Sequence, residues 1–568
     1  MNIRTVAISI LFFLLSFYLH AQTGTGKKFT KADTLRGSIT PERAWWNLLH
    51  YSLHIIPDIA QKTLQGSVDV QFRAVKAGRY MQIDLQQPLI IDSVTTPLSA
   101  KKNKLLSFKR DSNVAIIDYG KTLITGRQST IRIYYHGTPR EAIRPPWDGG
   151  VSWKTDATGA PFVATSCQGL GASAWWPCKD HQADEPDSGM LIAVRVPDTL
   201  TEVSNGRLKQ VIQHRDRTKT WVWGVKSPIN NYGVSMNIGK YTLLKDQFRG
   251  ESGLLSLDYY VLQSNKDSAT QQLRQVKPML RCFEYWFGPY PFYQDGYKLV
   301  EVPYLGMEHQ SNVAYGNKYQ NGYLGKDLSG TGWGLKWDFI IIHESGHEWF
   351  GNNITSKDIA DMWIHEGFTN YSETLFTEWT DGKQAGNAYN FGSRKNIRND
   401  KPIIAPYNVQ ATGSGDMYYK ASAMIHSIRL AMNNDAKFRE MLRSMNRKYR
   451  HSMVTTKELE QFMSGYTGFS VTGIFDQYLR GIQIPVLEYY ISYEKDKLVY
   501  RWSDAVEGFN LPLQIPSTGD TIRIRPKLSQ WQEYPLKRGQ AEALQLKDLS
   551  KYFYIQTLEK KEMVIKLN

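Results

Sequence analysis

His343-Glu344-Ser345-Gly346-His347, followed nineteen residues later by Glu366, is a metal-ligand pattern. On a helix, positions i and i+4 lie on one face, about 40° apart around the axis. Both imidazoles can therefore reach one ion. A carboxylate from a second element, Glu366, completes a His₂Glu set, which suits a catalytic zinc and leaves a fourth position open for water. Glu344 follows the first histidine and can face that water as a general base. The pattern predicts metal-assisted hydrolysis with one Zn2+ per chain.

Such ligands need rigid supports. Residues 333–350 are nearly apolar on all sides apart from the motif, which predicts a buried helix. An amphipathic helix is expected over 269–287, and others over 362–379, 420–433, 436–449, 456–465 and 471–480. Before them, from 51 to 262, short alternating runs separated by Gly, Pro, Asp and Asn predict an antiparallel β domain. After Pro485 alternation returns, and the tail reads as a small β-sandwich. The fold class is multidomain α+β. Its expected parts are a linker at 22–44, an N-terminal β domain at 45–262, a catalytic domain at 263–481 and the sandwich at 482–568.

Residues 343–355 read HESGHEWFGNNIT and 361–371 read DMWIHEGFTNY. Upstream, 304–310 read YLGMEHQ and 167–186 read CQGLGASAWWPCKDHQADEP; downstream, 417–421 read MYYKA. Together these segments resemble the M1 family of zinc aminopeptidases, gluzincins with a thermolysin-like, mostly helical catalytic domain. Their patterns are HExxHxWFGNxhT, WLNEGFA, GxMEN, a glutamine before PCxDEP, and Tyr-x-Lys-Gly, in the same order. The resemblance covers most of residues 45–485. It implies a bacterial-type exported member without the long helical C-terminal domain of larger relatives.

The resemblance also implies roles. Tyr418 would stabilise the tetrahedral oxyanion, with Tyr419 the neighbour most easily mistaken for it. Glu308 would hold the free α-ammonium of a peptide, helped by Gln168 and flanked by Gly306 and Met307; an unpaired buried acceptor is costly, so a substrate lacking the cation is rejected. Leu305 stands where the family has glycine, and His309 where it has asparagine. Substrates would be peptides with a free N-terminus. Asp361 or Glu373 could orient a ligand imidazole. His365 lies about 100° around the helix from Glu366, so a packing or supporting role suits it better than metal ligation.

Composition agrees with a soluble globular chain, and 568 residues exceed one core. The net charge of +15 is spread along the chain, and the densest stretch, 443–450, reads as a solvated helix face. No nucleic-acid recognition motif is present, so no nucleic-acid partner is expected. Arg4, the apolar run 6–18 and Ala21 form a secretory signal over 1–21, which predicts an exported, periplasmic or cell-envelope protein with no membrane span after cleavage. No oligomeric state is legible. Three cysteines allow a Cys167–Cys178 bridge or buried free thiols.

Overall fold

The computed structural model describes residues 28–99, 102–494, 496–517 and 520–561; the expected signal at 1–21 lies outside the described residues. Alternation forms the first long strand, Trp46–Asp58, in which Leu53 and Ile55 are buried while His54 and Ile56 are exposed. It pairs antiparallel with Thr63–Ala74, placing Leu53 opposite Val68. Both belong to a ten-stranded sheet. Trp46–Asp58 runs parallel to Met190–Pro197 on its other side, and the remaining neighbours are antiparallel. A four-stranded sheet contains Pro161–Ser166, which leads directly into Gln168.

Two boundaries differ from expectation. Residues 31–44 are not a linker. Lys31–Gly37 is a helix started by a capping box between Thr30 and Asp33. Its Arg36 pairs with Asp180 at 2.9 Å, and Arg43, fully buried on Pro41–Ala44, pairs with Asp84 at 2.6 Å. These cations neutralise carboxylates inside the β domain and tie the segment to it. Residues 22–27 lie outside the described residues.

The second difference concerns Tyr241–Gly250 and Gly253–Leu262. Their alternation assigns them to the N-terminal domain. In the structure Gly253–Leu262 pairs in parallel with Tyr297–Glu301, Leu257 opposite Tyr297. With Val313–Tyr315 and Gly306–Met307 they form a five-stranded sheet of the catalytic unit. Alternation identifies a strand; it does not say which sheet the strand joins.

The motif helix is shorter than the expected 333–350. A 3₁₀ turn, Trp333–Leu335, precedes the helix Phe339–Gly346, which begins where the Asp338 carboxylate accepts from the Ile340 and Ile341 amides at 3.0 and 3.2 Å. Past His347 the backbone breaks at Phe350 and at Gly351, whose φ of +124° suits glycine. Trp363–Asp381 is buried from Trp363 through Thr377. Lys383–Ser393, which packs beside it, has no counterpart among the expected helices.

The C-terminal segment forms a four-stranded sheet and a two-stranded one. Leu487, Trp502, Ile515 and Ile524 share one apolar cluster with Trp363, Phe368 and Met424 of the catalytic helices. Among the described residues no helix is long and apolar enough to cross a membrane. All three cysteines are free and buried.

Candidate active site

Helix spacing puts His343 and His347 on one face, and the start of Trp363–Asp381 brings Glu366 to them. The proton positions on both rings follow from their outer partners. His343 Nδ1 donates to Glu373 Oε1 at 2.7 Å, and a carboxylate only accepts. His347 Nδ1 donates to the Phe350 carbonyl at 3.0 Å, a contact made possible by the break at Gly351, with Thr369 Oγ1 3.1 Å away. Both Nε2 atoms are therefore bare in the neutral rings, and they lie 3.3 Å apart. Glu366 Oε2 is 3.6 Å from one and 3.3 Å from the other, buried and without a hydrogen-bond donor.

Three buried lone-pair atoms thus converge within 4.8 Å of one another, an arrangement that a cation stabilises. Burial opposes charge on both imidazoles, yet Glu366 and Glu373 outweigh it at His343, and Glu366 and Glu308 do so at His347; both pKa values lie above the ordinary one. At Glu366 burial acts upward, but the two imidazoles hold the carboxyl well below its usual range. The pocket draws positive charge. Two imidazole nitrogens and a carboxylate oxygen are the donor set of catalytic zinc, so the residues fit that ion.

Glu373 and Asp361, equal candidates by sequence, separate here. Glu373 holds His343 and in turn accepts from Tyr389 Oη at 2.6 Å and Asn370 Nδ2 at 2.9 Å. Asp361 accepts instead from Thr456 Oγ1 and Tyr407 Oη, at 2.6 and 2.8 Å. Tyr389, Asn370 and Thr369 escape a sequence reading because their relevance depends on partners far along the chain or on a helix turn already known to face the site.

Glu344 is buried against the Gly306 backbone. A Cβ at position 306 would sit 2.8 Å from Glu344 Oε1 and 2.8 Å from Ile340 Cγ2. Burial pushes the Glu344 carboxyl up to about 7, with His343 and His347 pulling the other way. Glu308 is buried beside it, and burial raises its pKa as well. A single nitrogen, Gln168 Nε2, donates to both Glu308 Oε1 and Glu366 Oε1, at 2.7 Å each.

The Tyr418 ring stacks on His343 with 6.0 Å between centroids, and burial, with the charges of Glu366, Glu308 and Glu344, raises its phenol well above the ordinary pKa. Burial, with smaller contributions from Glu373 and Tyr323, raises the Tyr419 phenol above its ordinary pKa. Gly306, Met307, Leu305 and both tyrosines line one cavity of about 650 Å³ with the groups above. Among the described residues its wall carries four carboxylates, with Asp148 the fourth, and no Lys or Arg. His309 is fully buried, with no partner for either ring nitrogen among the described residues, and is absent from that wall. His365 is no ligand: Ser356 N donates to its Nε2 at 2.7 Å, and its Nδ1 meets Tyr232 Oη at 3.2 Å.

Residues 272–478 match the Peptidase family M1 domain, and residues 47–232 match the Peptidase M1 N-terminal domain. The chain belongs to peptidase family M1. Among M1 relatives it is 21% identical over 452 residues to aminopeptidase M1-B of Oryza sativa subsp. japonica, covering 77% of this chain and 50% of the relative. Over 452 residues it is also 21% identical to the probable aminopeptidase 2 of Sulfurisphaera tokodaii, covering 76% and 54%. The chain thus spans about half the length of these curated relatives. An M1 zinc metallopeptidase from Deinococcus radiodurans, solved bound to a Tyr-Ser-Ala substrate, shares the fold at TM-score 0.66 and 20% identity, covering 78% of this chain and 97% of that one.

Proposed function

We propose that this M1 chain is an exported aminopeptidase that uses one zinc ion to remove single residues from peptides with a free N-terminus. A zinc ion held by His343, His347 and Glu366 would supply Lewis acidity toward a carbonyl and toward water. Glu344, buried and with a pKa near neutrality, takes a proton from the attacking water and returns it to the leaving amine. Tyr418 donates its hydroxyl proton as a hydrogen bond to the developing oxyanion. Glu308 accepts from the α-ammonium, and the carbonyl oxygen of Gln168 faces the same amine.

The observation that carries this reading is the shared donor. Two 2.7 Å bonds from Gln168 Nε2 put Glu308 Oε1 and Glu366 Oε1 no more than 5.4 Å apart. An ammonium held at Glu308 is then roughly one residue, about 3.8 Å of chain, from the metal set, so only the first carbonyl reaches it. A cavity wall with four carboxylates and, among the described residues, no Lys or Arg favours a cationic substrate end, although the chain as a whole carries +15. The test compares a peptide with its N-acetylated copy by mass spectrometry. Stepwise shortening of the free peptide, with the acetylated one slower by orders of magnitude, is expected. Internal cleavage of both at similar rates would assign an endopeptidase instead.

A further inference from the structure

We infer that Asn352 is a positioning residue for Glu308, its side-chain amide fixing the backbone of the amine-binding carboxylate relative to the metal ligand His347. The inference rests on the proposed role of Glu308 and adds what sets its distance from the metal set. Asn352 and Glu348 lie on the segment that follows the second histidine, and both are buried. Neither belongs to the metal set or to the cavity wall.

The break at Phe350 and Gly351 turns the chain so that the backbone amide of Asn352 donates to the His347 carbonyl at 3.0 Å. The Asn352 side chain reaches the loop that holds Glu308, where its Nδ2 donates to the Glu308 carbonyl oxygen at 3.0 Å. A carbonyl only accepts, so the nitrogen of the side-chain amide must face it. Two hydrogen bonds and one residue therefore separate a metal ligand from the backbone of the amine-binding carboxylate. The far end of the loop is tied to the same segment. The Ser311 amide donates to Glu348 Oε1 at 2.8 Å. Ser311 has a φ of +53°, a left-handed conformation that a serine holds only with support.

Between these two ties the chain turns tightly. The His309 amide donates to the Met307 carbonyl at 3.0 Å, and the Asn312 amide to that of His309 at 2.9 Å. From the β domain, Asn205 Nδ2 donates to the Gln310 carbonyl at 2.7 Å. Gln168 thus holds the Glu308 carboxylate at its tip, and Asn352 holds the residue at its root. The reach from a bound ammonium to the metal set depends on both, and a misplacement of about 1 Å is enough to slow a reaction severely. Without the Asn352 donor the Glu308 carbonyl is left buried and unpaired, and the loop relaxes away from His347 to satisfy it.

The test is steady-state kinetics of Asn352→Leu in the full, zinc-replete chain, with an unmodified aminoacyl arylamide and its N-acetyl copy. Leucine keeps the size of the side chain and removes the donor. Loss of one neutral hydrogen bond predicts that the ratio of kcat/KM for the free amine to that for the acetyl copy falls about 3- to 10-fold, mainly through KM of the free amine. Binding reads the same loss without turnover. In a Glu344→Ala background, the Kd of a free-amine peptide by titration calorimetry should rise about 3- to 10-fold when Asn352→Leu is added. A merely structural role would slow both substrates alike, so an unchanged ratio, or an unchanged Kd, overturns the inference. Should Asn352→Leu fail to fold, Asn352→Asp, which keeps the shape and has no proton to donate, is expected to lower the same ratio, and an unchanged ratio again overturns it. Glu308→Ala separates the two layers. If it leaves the preference for free amines intact, the reading of Glu308 fails; if it abolishes the preference while Asn352→Leu does not move it, only the present inference fails.

Discussion

Replacing Glu373 with glutamine probes how the site prepares His343 for its ion. The carboxylate is fully buried and accepts three hydrogen bonds, from His343 Nδ1 at 2.7 Å, Tyr389 Oη at 2.6 Å and Asn370 Nδ2 at 2.9 Å. In Glu373→Gln the amide oxygen can keep the His343 and Asn370 bonds, while the amide nitrogen faces Tyr389, whose hydroxyl turns to accept. Packing is kept and the charge is lost. Hydrogen bonds to charged groups are worth about 1.5–3 kcal/mol and neutral ones about 0.5–1.5, so the His343 bond weakens by about 1–1.5 kcal/mol, close to tenfold. The imidazole also becomes a less basic ligand, and the expected loss of zinc affinity is about 10- to 100-fold. The assay is zinc titration of apoprotein against a competing chelator, with the melting temperature of the apo form as a check on folding. Asp361→Asn is the control, because Asp361 holds Thr456 and Tyr407 and neither imidazole. A zinc Kd for Glu373→Gln within about twofold of wild type, or an equal loss in Asp361→Asn, would refute the assignment.

Other substitutions have equally definite outcomes. Tyr418→Phe is expected to lower kcat by about 10²–10³ with little change in KM, and Tyr419→Phe to be far milder; kinetics showing the reverse would shift the oxyanion role by one residue. Gly306→Ala places a methyl 2.8 Å from Glu344 Oε1, so kcat should drop while zinc content, measured by metal analysis, stays at the wild-type level. Glu202 is buried between Ser204 Oγ and Trp223 Nε1, and burial pushes its carboxyl up to about 8. A raised folded-state pKa means that the native state binds more protons than the unfolded one between the ordinary value, 4.5, and about 8, so this group's contribution to stability is lost as pH rises through that window. Glu202→Gln can satisfy the same neighbours without charge. Its melting temperature should exceed that of wild type at pH 8.5 and not at pH 5.5, as thermal scans at the two values would show.

The metal set was legible because its geometry is local. Two histidines four residues apart must share a helix face whatever surrounds them, and helix periodicity alone makes Glu344 their companion. Glu366 was read from its place nineteen residues after His347; Tyr418, Glu308 and Gln168 were legible only through resemblance, since no local rule joins residues from three separate elements. Local patterning also identified most strands and helices, with the expected helix at 436–449 appearing as Asp435–Lys448 and that at 420–433 as Tyr419–Met432. It misread 31–44 as a linker, because two short helices with exposed polar faces owe their order to Arg36 and Arg43 reaching buried carboxylates elsewhere.

Tertiary structure alone decided the rest. It assigned Tyr241–Gly250 and Gly253–Leu262 to the catalytic sheet, where pairing partners lie beyond the intervening helices. It chose Glu373 over Asp361, turned the buried His309 away from the cavity, and set Gln168 between two carboxylates. It brought Tyr232 to His365 across the domain boundary. Each of these depends on atoms meeting within about 3 Å, and only the packing of whole elements, driven by burial of their apolar faces, fixes distances that fine between residues distant in the chain.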